Sequence, residues 1–511
     1  MPRGQLLAAC LAILGVDAVC GGEPAPSTQA DALMSQRVDQ RLAAGWSEHG
    51  IMPSPAADDS ELLRRLHLDL TGVIPTVWDA REYLADVRTE KSSALIDRLL
   101  GSPAHATHLA QVWRDWMLPR KLEPEQAAGV IGLERWLRQQ FLDNNRYDRV
   151  VADLLVATGG DESGPALFYT AAGLKPEELG ATTARIFLGV RLDCAQCHNH
   201  PFDHWTQQDF WGYSAFFAQV QQRSQNAANV QLVDVKSGEA RLPDTDTVVP
   251  PQYLGGSPVD ERELGTRRQQ LAIWMVSREN PYLARATVNF VWSQLFGRGL
   301  VEPLDDFGSH NPPSHPELLE ELANYFVASQ CDLRRLYRML TNTHAYQLSS
   351  GTGEGAAPAP EQFARMAVKS LTPEQLYDSL SRVAIESPAE SADRLLDSRR
   401  QQFLIKMQTQ TRSATDFELG VPQALTLING TELGVVTDAA RSRLLKSLEA
   451  PFFQDEDRVT TMFLAVLSRL SNDDERAQFT ELLSSSPGDR NRAMGDAVWA
   501  LLNSAEFALN H

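Results

Sequence analysis

At 511 residues and 43% hydrophobic content, the chain can bury a sizeable core and divides on size into two or three domains, which excludes a disordered polymer. Its 47 Lys and Arg stand against 66 Asp and Glu, a formal charge of -19, so electrostatic binding to nucleic acid or to an anionic membrane is opposed. With only five cysteines in the whole chain, a disulfide-rich scaffold is excluded as well.

Residues 1–20 read as a secretory signal: Arg3 supplies the positive start, Leu6 to Val16 the apolar stretch, and small Ala18 precedes Cys20 and Gly21. Asp17-Ala18-Val19 is a poor lipoprotein site, so removal of the signal is expected rather than lipidation of Cys20. Residues 21–32, rich in Gly, Pro, Ser and Thr, read as a tether. No later apolar run is long enough to span a bilayer.

A helical domain is expected over 33–218. Leu62, Leu63, Leu66 and Leu70 recur at helical spacing, as do Leu95, Ile96, Leu99 and Leu100, then Trp136, Leu137 and Phe141, then Val150, Val151, Leu154 and Leu155. Over 219–262 the pattern changes to short valine-rich runs punctuated by Pro and Gly, which predicts a small extended or β insertion between two halves. Helices resume over 263–511, where Asn280-Pro281 breaks one and Tyr282 to Leu295 forms the next. The stretch 351–360, almost all Gly, Ala and Pro, reads as a flexible linker. The fold class is therefore mainly α, with bundle-like domains and no repeat of fixed period.

The most specific signal is Cys194-Ala195-Gln196-Cys197-His198. Removal of the signal leaves Cys194, Cys197 and Cys331, and the last reads as a small buried hydrophobe. In c-type cytochromes the two thiols of such a motif form thioethers to haem and the histidine ligates the iron. Leu179, Ile186, Phe187 and Val190 lie on one apolar stripe. That stripe predicts a helix carrying Cys194, Cys197 and His198 on one side and ended by Pro201 near Asn199. Phe202, Trp205, Phe210, Trp211, Tyr213, Phe216 and Phe217 follow, enough aromatic surface to wall a planar cofactor from water.

Three readings of the motif stay open. Covalent haem c uses Cys194 and Cys197 for attachment and His198 as axial ligand, with His310, His315, His344 or Met275 as candidates for the sixth position. A bound zinc or iron ion draws on Cys194, Cys197, His198, His200 and His204, with Asp203 as a second-sphere partner. The third reading is a Cys194–Cys197 disulfide in a non-catalytic scaffold or binding protein.

The chain resembles a family of exported planctomycete proteins built from a cytochrome-associated domain of unknown function followed by a companion domain of unknown function. In the first part the resemblance is carried by Leu62-Leu63-Arg64-Arg65-Leu66-His67-Leu68-Asp69-Leu70-Thr71-Gly72, by Phe187-Leu188-Gly189-Val190 and by Cys194 through Asp203. In the second it is carried by Asn280-Pro281, Val288-Asn289, Phe296 through Val301, Pro313 through Leu319, Pro422-Gln423-Ala424-Leu425 and Trp499 through Phe507. The family often has a further N-terminal cytochrome c-like module, which this chain with its single Cys-x-x-Cys-His lacks. Phe290 stands where the family commonly has Arg. Within these strings Asp69, Arg298 and His315, together with Asp115, Asp305 and Asp306 outside them, are polar residues that invite functional readings. His315, just before an amphipathic helix, is the candidate catalytic residue to test first. The expected protein is thus an exported haem c carrier in envelope electron transfer or oxidative chemistry, acting with a redox partner protein. The alternative is a metal-dependent enzyme, with hydrolysis of an extracellular polymer as a candidate reaction.

Overall fold

In the computed structural model, the residues described are 27–511, apart from 120–121, 123–125, 160–163, 224–229, 257, 260–263, 279, 352–357, 385–396, 408–414, 416–422, 424, 427, 429 and 486–487. The signal segment 1–20 lies outside them, as do 21–26 of the tether and 352–357 of the linker. The first helix, α1 (Ser27–His49), begins inside the segment read as a tether.

The mainly α architecture follows the periodicity of the sequence. Six helices come next: α2 (Asp59–Thr71), α3 (Val77–Ala85), α4 (Lys91–Leu100), α5 (Pro103–Met117), α6 (Ala127–Leu142) and α7 (Tyr147–Leu155). Asp58 caps α2 by accepting from the amides of Ser60 and Glu61, and Gly72 at φ 71° stops it. Ser102 caps α5, whose first helical residue is proline. Two short helices, α8 (Ala166–Ala171) and α9 (Pro176–Thr183), lead to the motif, and α10 (Gln207–Ser214) follows it.

The insertion holds two antiparallel pairs. β1 (Val220–Gln222) pairs with β2 (Leu232–Asp234), and β3 (Ala240–Arg241) with β4 (Val248–Val249). Helices α11 (Arg267–Met275), α12 (Leu283–Phe296), α13 (Pro316–Ala328) and α14 (Leu333–Thr341) complete the first core.

That core crosses the insertion. Trp113 of α5 packs against Phe290 of α12 with rings tilted by 48° and centroids 4.6 Å apart, and residues from Val38 to Met366, with Leu464, share one buried cluster. The position where the family commonly has Arg is thus a buried aromatic contact, with Phe290 4% exposed. A second core gathers α15 (Pro373–Val383) and the helices Ser398–Met407, Thr431–Thr437, Arg443–Leu448, Asp455–Val466 and Arg490–Leu502, and it takes in Leu68 and Ile74 from the α2 region. The packing boundary therefore falls near residue 365 and not at the insertion.

Helix α2 joins the two cores through buried polar groups. Arg64 donates to the carbonyls of Val466 (3.2 Å) and Phe507 (2.8 Å). Arg65 donates to those of Tyr346 (2.7 Å), Leu348 (2.8 Å) and His511 (3.2 Å). Asp69 accepts from Lys369 (2.7 Å), Asn510 (2.6 Å) and Tyr346 (2.9 Å). Lys369 and Asn510 are partners in the antiparallel pair of β5 (Lys369–Ser370) and β6 (Leu509–Asn510). A buried charge of this kind persists only where its hydrogen bonds are met, and here Tyr346, Leu348, Lys369 and Val466 meet them together with residues 507–511.

Candidate functional site

The predicted helix through the motif does not form. Helix α9 ends at Thr183, widens into a π-helical turn over Ala184–Leu188 and stops at Gly189, whose φ of 69° is the left-handed conformation that favours glycine. A Cβ at Gly189 would lie 2.5 Å from the ring of Phe307, so the same glycine admits a side chain from the second half of the chain. Phe307 returns the contact by donating its amide to the Gly189 carbonyl at 2.8 Å. The apolar stripe Leu179, Ile186, Phe187 and Val190 is buried as expected, but its period ends before the cysteines.

Cys194 instead lies in a 3₁₀ turn, Asp193–Ala195, and Cys197 and His198 in the turn that follows. Leu192 and Ala195 anchor the segment in the core at 0% exposure. Helix α10 holds it from the other side. The Gln196 carbonyl accepts from Trp211 Nε1 (3.1 Å) and Gln207 Nε2 (3.2 Å), and Asn199 Oδ1 accepts from the Gln207 amide (3.0 Å). A capping box between Thr206 and Asp209 fixes the start of α10. Both thiols are free and exposed.

The histidines around the motif differ in tautomer, and their partners decide which nitrogen carries the proton. His198 Nδ1 lies 2.8 Å from the Asn199 carbonyl, which can only accept, so the proton sits on Nδ1 and the exposed Nε2 keeps a lone pair. His200 is the reverse, because its Nδ1 accepts the Phe202 amide at 3.2 Å. His204 Nδ1 donates to Asp203 Oδ1 at 2.7 Å, and the same oxygen accepts the His204 amide at 2.8 Å. The Asp203 side chain is only 5% exposed, against 70% for that of His204.

Among the described residues no three Cys, His, Asp or Glu side chains converge to hold a metal ion, so Cys194, Cys197, His198, His200 and His204 do not form a ready-made site. The aromatic wall is absent too: Trp205, Phe210, Tyr213, Phe216 and Phe217 are core residues no more than 4% exposed, while Phe202 is 75% exposed. Their spacing served the packing of α10 and not a cofactor pocket.

Of the candidates for a sixth ligand, the structure brings His310 to the motif loop, stacked on His200 at 6.3 Å between ring centroids. Met275 is buried at 1% exposure with its sulfur accepting from Asn280. The amide of His344 caps onto Asp39 of α1. His315 sits between α1, where a Cβ at Gly45 would face its Nε2 at 3.8 Å, and the ring of Phe363. Burial lowers its pKa, with His49 adding to the effect. These contacts of Met275, His344 and His315 lie away from the motif.

What the sequence reading missed is the segment 305–311, which docks on the motif from the second half. Asp305 accepts from Arg191 at 2.9 and 2.5 Å and pairs with Arg185 at 3.6 Å. Asp306 Oδ2 lies 3.3 Å from His310 Nε2. In the sequence alone Asp305 and Asp306 are polar residues, and no local pattern assigns Asp305 its partners Arg185 and Arg191 more than 100 positions away. Arg298 forms a part-exposed pair with Glu361, Asp115 pairs with Arg114 and is 56% exposed, and Asp69 belongs to the buried junction described above. Cys331 is buried, and that burial pushes its thiol up to about 12, which leaves it inert as a nucleophile.

Comparison with known proteins adds the family and nothing about activity. Residues 37–222 match PSCyt2, described as a protein of unknown function (DUF1549), and residues 267–418 match PSD1, described as a protein of unknown function (DUF1553). No curated protein and no solved structure matches the chain. With most of α1 through β1 in the first match and α11 through the helix Ser398–Met407 in the second, the chain carries these two domains of unknown function in tandem.

Proposed function

We propose that this protein is an exported carrier of covalent haem that passes electrons to or from a partner protein. The observation that carries the reading is the pairing of two free, exposed thiols with an exposed imidazole whose Nδ1 proton is committed to a backbone carbonyl. Thioether formation needs accessible thiols. Axial ligation through Nε2 needs the other ring nitrogen occupied by a hydrogen bond, the usual support for a metal-bound histidine. Cys194 and Cys197 would hold the porphyrin and His198 the iron, and the group would supply reversible one-electron chemistry there.

The surroundings bear on which chemistry is favoured. With Trp205, Phe210, Tyr213, Phe216 and Phe217 turned into the core, a group held by the exposed Cys194 and Cys197 would lie on the surface. Exposure of this kind suits transfer across a contact with another protein better than a closed pocket for oxidative chemistry. No helix among the described residues is long and apolar enough to cross a membrane.

The test is expression of the full chain in a host competent for cytochrome c maturation, followed by absorption spectra and intact mass. Haem retained under denaturation, and absent from Cys194→Ala plus Cys197→Ala, is the expected result. A colourless wild-type product of unmodified mass from the same host overturns the proposal.

A further inference from the structure

His105 and Arg334 each bring a buried polar atom without a partner to one small cavity. His105 of α5 is 1% exposed. Its Nδ1 lies 2.7 Å from the Leu70 carbonyl, which can only accept, so the proton sits on Nδ1 and Nε2 keeps a lone pair in the interior. Arg334 of α14 reaches the Phe141 carbonyl with Nη2 at 3.5 Å, while its Nε–H is buried. Neither His105 Nε2 nor Arg334 Nε has a hydrogen-bond partner among the described residues, so the two are not bonded to each other. Both side chains line the cavity between α5, the end of α6 and the start of α14, together with Leu109, Phe141, Asn144, Asn145 and Leu333.

A lone pair and an N–H left open in the interior are costly, so native proteins satisfy such atoms, often with an ordered water. The pair also defines what can do so. A cation is repelled by the guanidinium, and an anion by the imidazole lone pair. A neutral hydroxyl serves both, because it accepts from Arg334 Nε and donates to His105 Nε2. The cavity offers about 10 Å³, room for a single water and no larger ligand. Asn144 and Asn145 are exposed at its rim and leave water a way in. Their side-chain nitrogens are given to Asp332 (3.1 Å) and Gln140 (2.7 Å), so what they have left to offer is oxygen, an acceptor for the second hydrogen. We infer that one water is bound here as part of the joint between the two matched domains. It completes a hydrogen-bonded chain from Leu70 and His105, within residues 37–222, to Arg334, within residues 267–418.

The site shares no residue with the thiol motif, so its test stands apart from the question of haem. The full chain is crystallised with bromide in place of chloride, at a resolution that orders solvent. One solvent oxygen within hydrogen-bond distance of both His105 Nε2 and Arg334 Nε is expected, with no anomalous bromide signal there. Arg334→Leu, at a half-buried position and shown to be folded by a circular dichroism melt, is expected to lose that oxygen and to keep the bond between His105 and Leu70. In solution, ¹⁵N spectra of histidine-labelled protein at neutral pH are expected to give His105 as the Nδ1–H tautomer, with its Nε2 resonance shifted in R334L. An empty map between the two nitrogens, a direct bond between them, a bromide peak, an Nε2–H tautomer, or an oxygen that stays in place in R334L overturns the assignment.

Discussion

Lowering the pH from 7 to 5 is expected to destabilise the fold well before the carboxylates titrate, because three histidines at the α2–α5 junction are buried without charge. His67, His105 and His108 are 4%, 1% and 9% exposed. Burial is the largest cause of depression in each, holding them at about 3, 3 and 4 against an ordinary value of 6.5. The unfolded chain binds a proton at each site as the pH drops below 6.5, while the folded chain does so only near pH 3–4. Stability is therefore full above pH 6.5 and falls progressively toward pH 4. One proton per site is worth about 1.4 kcal/mol per pH unit once the unfolded site is mostly charged, so the three together approach about 4 kcal/mol per unit below pH 6. His315 and His511, also lowered by burial, act in the same direction. Against a typical total of about 5–15 kcal/mol, a drop of this size unfolds the protein under mild acid. Urea denaturation followed by circular dichroism at pH 7, 6 and 5 measures it, with His105→Gln expected to reduce the slope by about 1.4 kcal/mol per unit. A free energy that stays level between pH 7 and 5, or an unchanged slope in H105Q, refutes the reasoning.

Two further outcomes concern the junctions. Lys369→Met leaves Asp69 buried with its charge unmatched and is expected to cost about 3–5 kcal/mol in thermal or urea denaturation, with part of the loss recovered in K369M plus Asp69→Asn. Gly189→Ala combines a left-handed backbone with a Cβ 2.5 Å from Phe307 and is expected to cost about 2–4 kcal/mol. Phe307→Leu in the same chain should relieve the collision but not the backbone strain, so full recovery would show that strain at residue 189 is negligible.

The helical class was legible because amphipathic periodicity is local: the leucines of α2 and α4 and the valines of α7 lie in the core as their spacing requires. The insertion was legible for the same reason, its short valine runs forming two-stranded pairs. The end of α9 was hidden, since Gly189 interrupts an apolar stripe by one residue and its reason for being there is Phe307, which lies 118 positions away. A glycine within an apolar period is a C-cap signal that could have been weighed more heavily. The aromatics after the motif were read as a wall because composition does not say which way a ring faces. The packing boundary near residue 365 was invisible too, because α2 contributes to both cores and nothing in its own sequence divides Leu66 from Leu68 except alternate sides of one helix. His310 could be named in advance only as one histidine among several, and what singles it out is tertiary.

The clasp between α2 and residues 507–511 ties the two cores to each other. Removal of residues 509–511 would take the Asn510 amide from Asp69 and one acceptor from Arg65, while Lys369 and Tyr346 still hold the carboxylate and Leu348 the guanidinium. One helix thus sets the fit of two packed bodies at once, so a change at Arg64, Arg65 or Asp69 is felt on both sides of the seam.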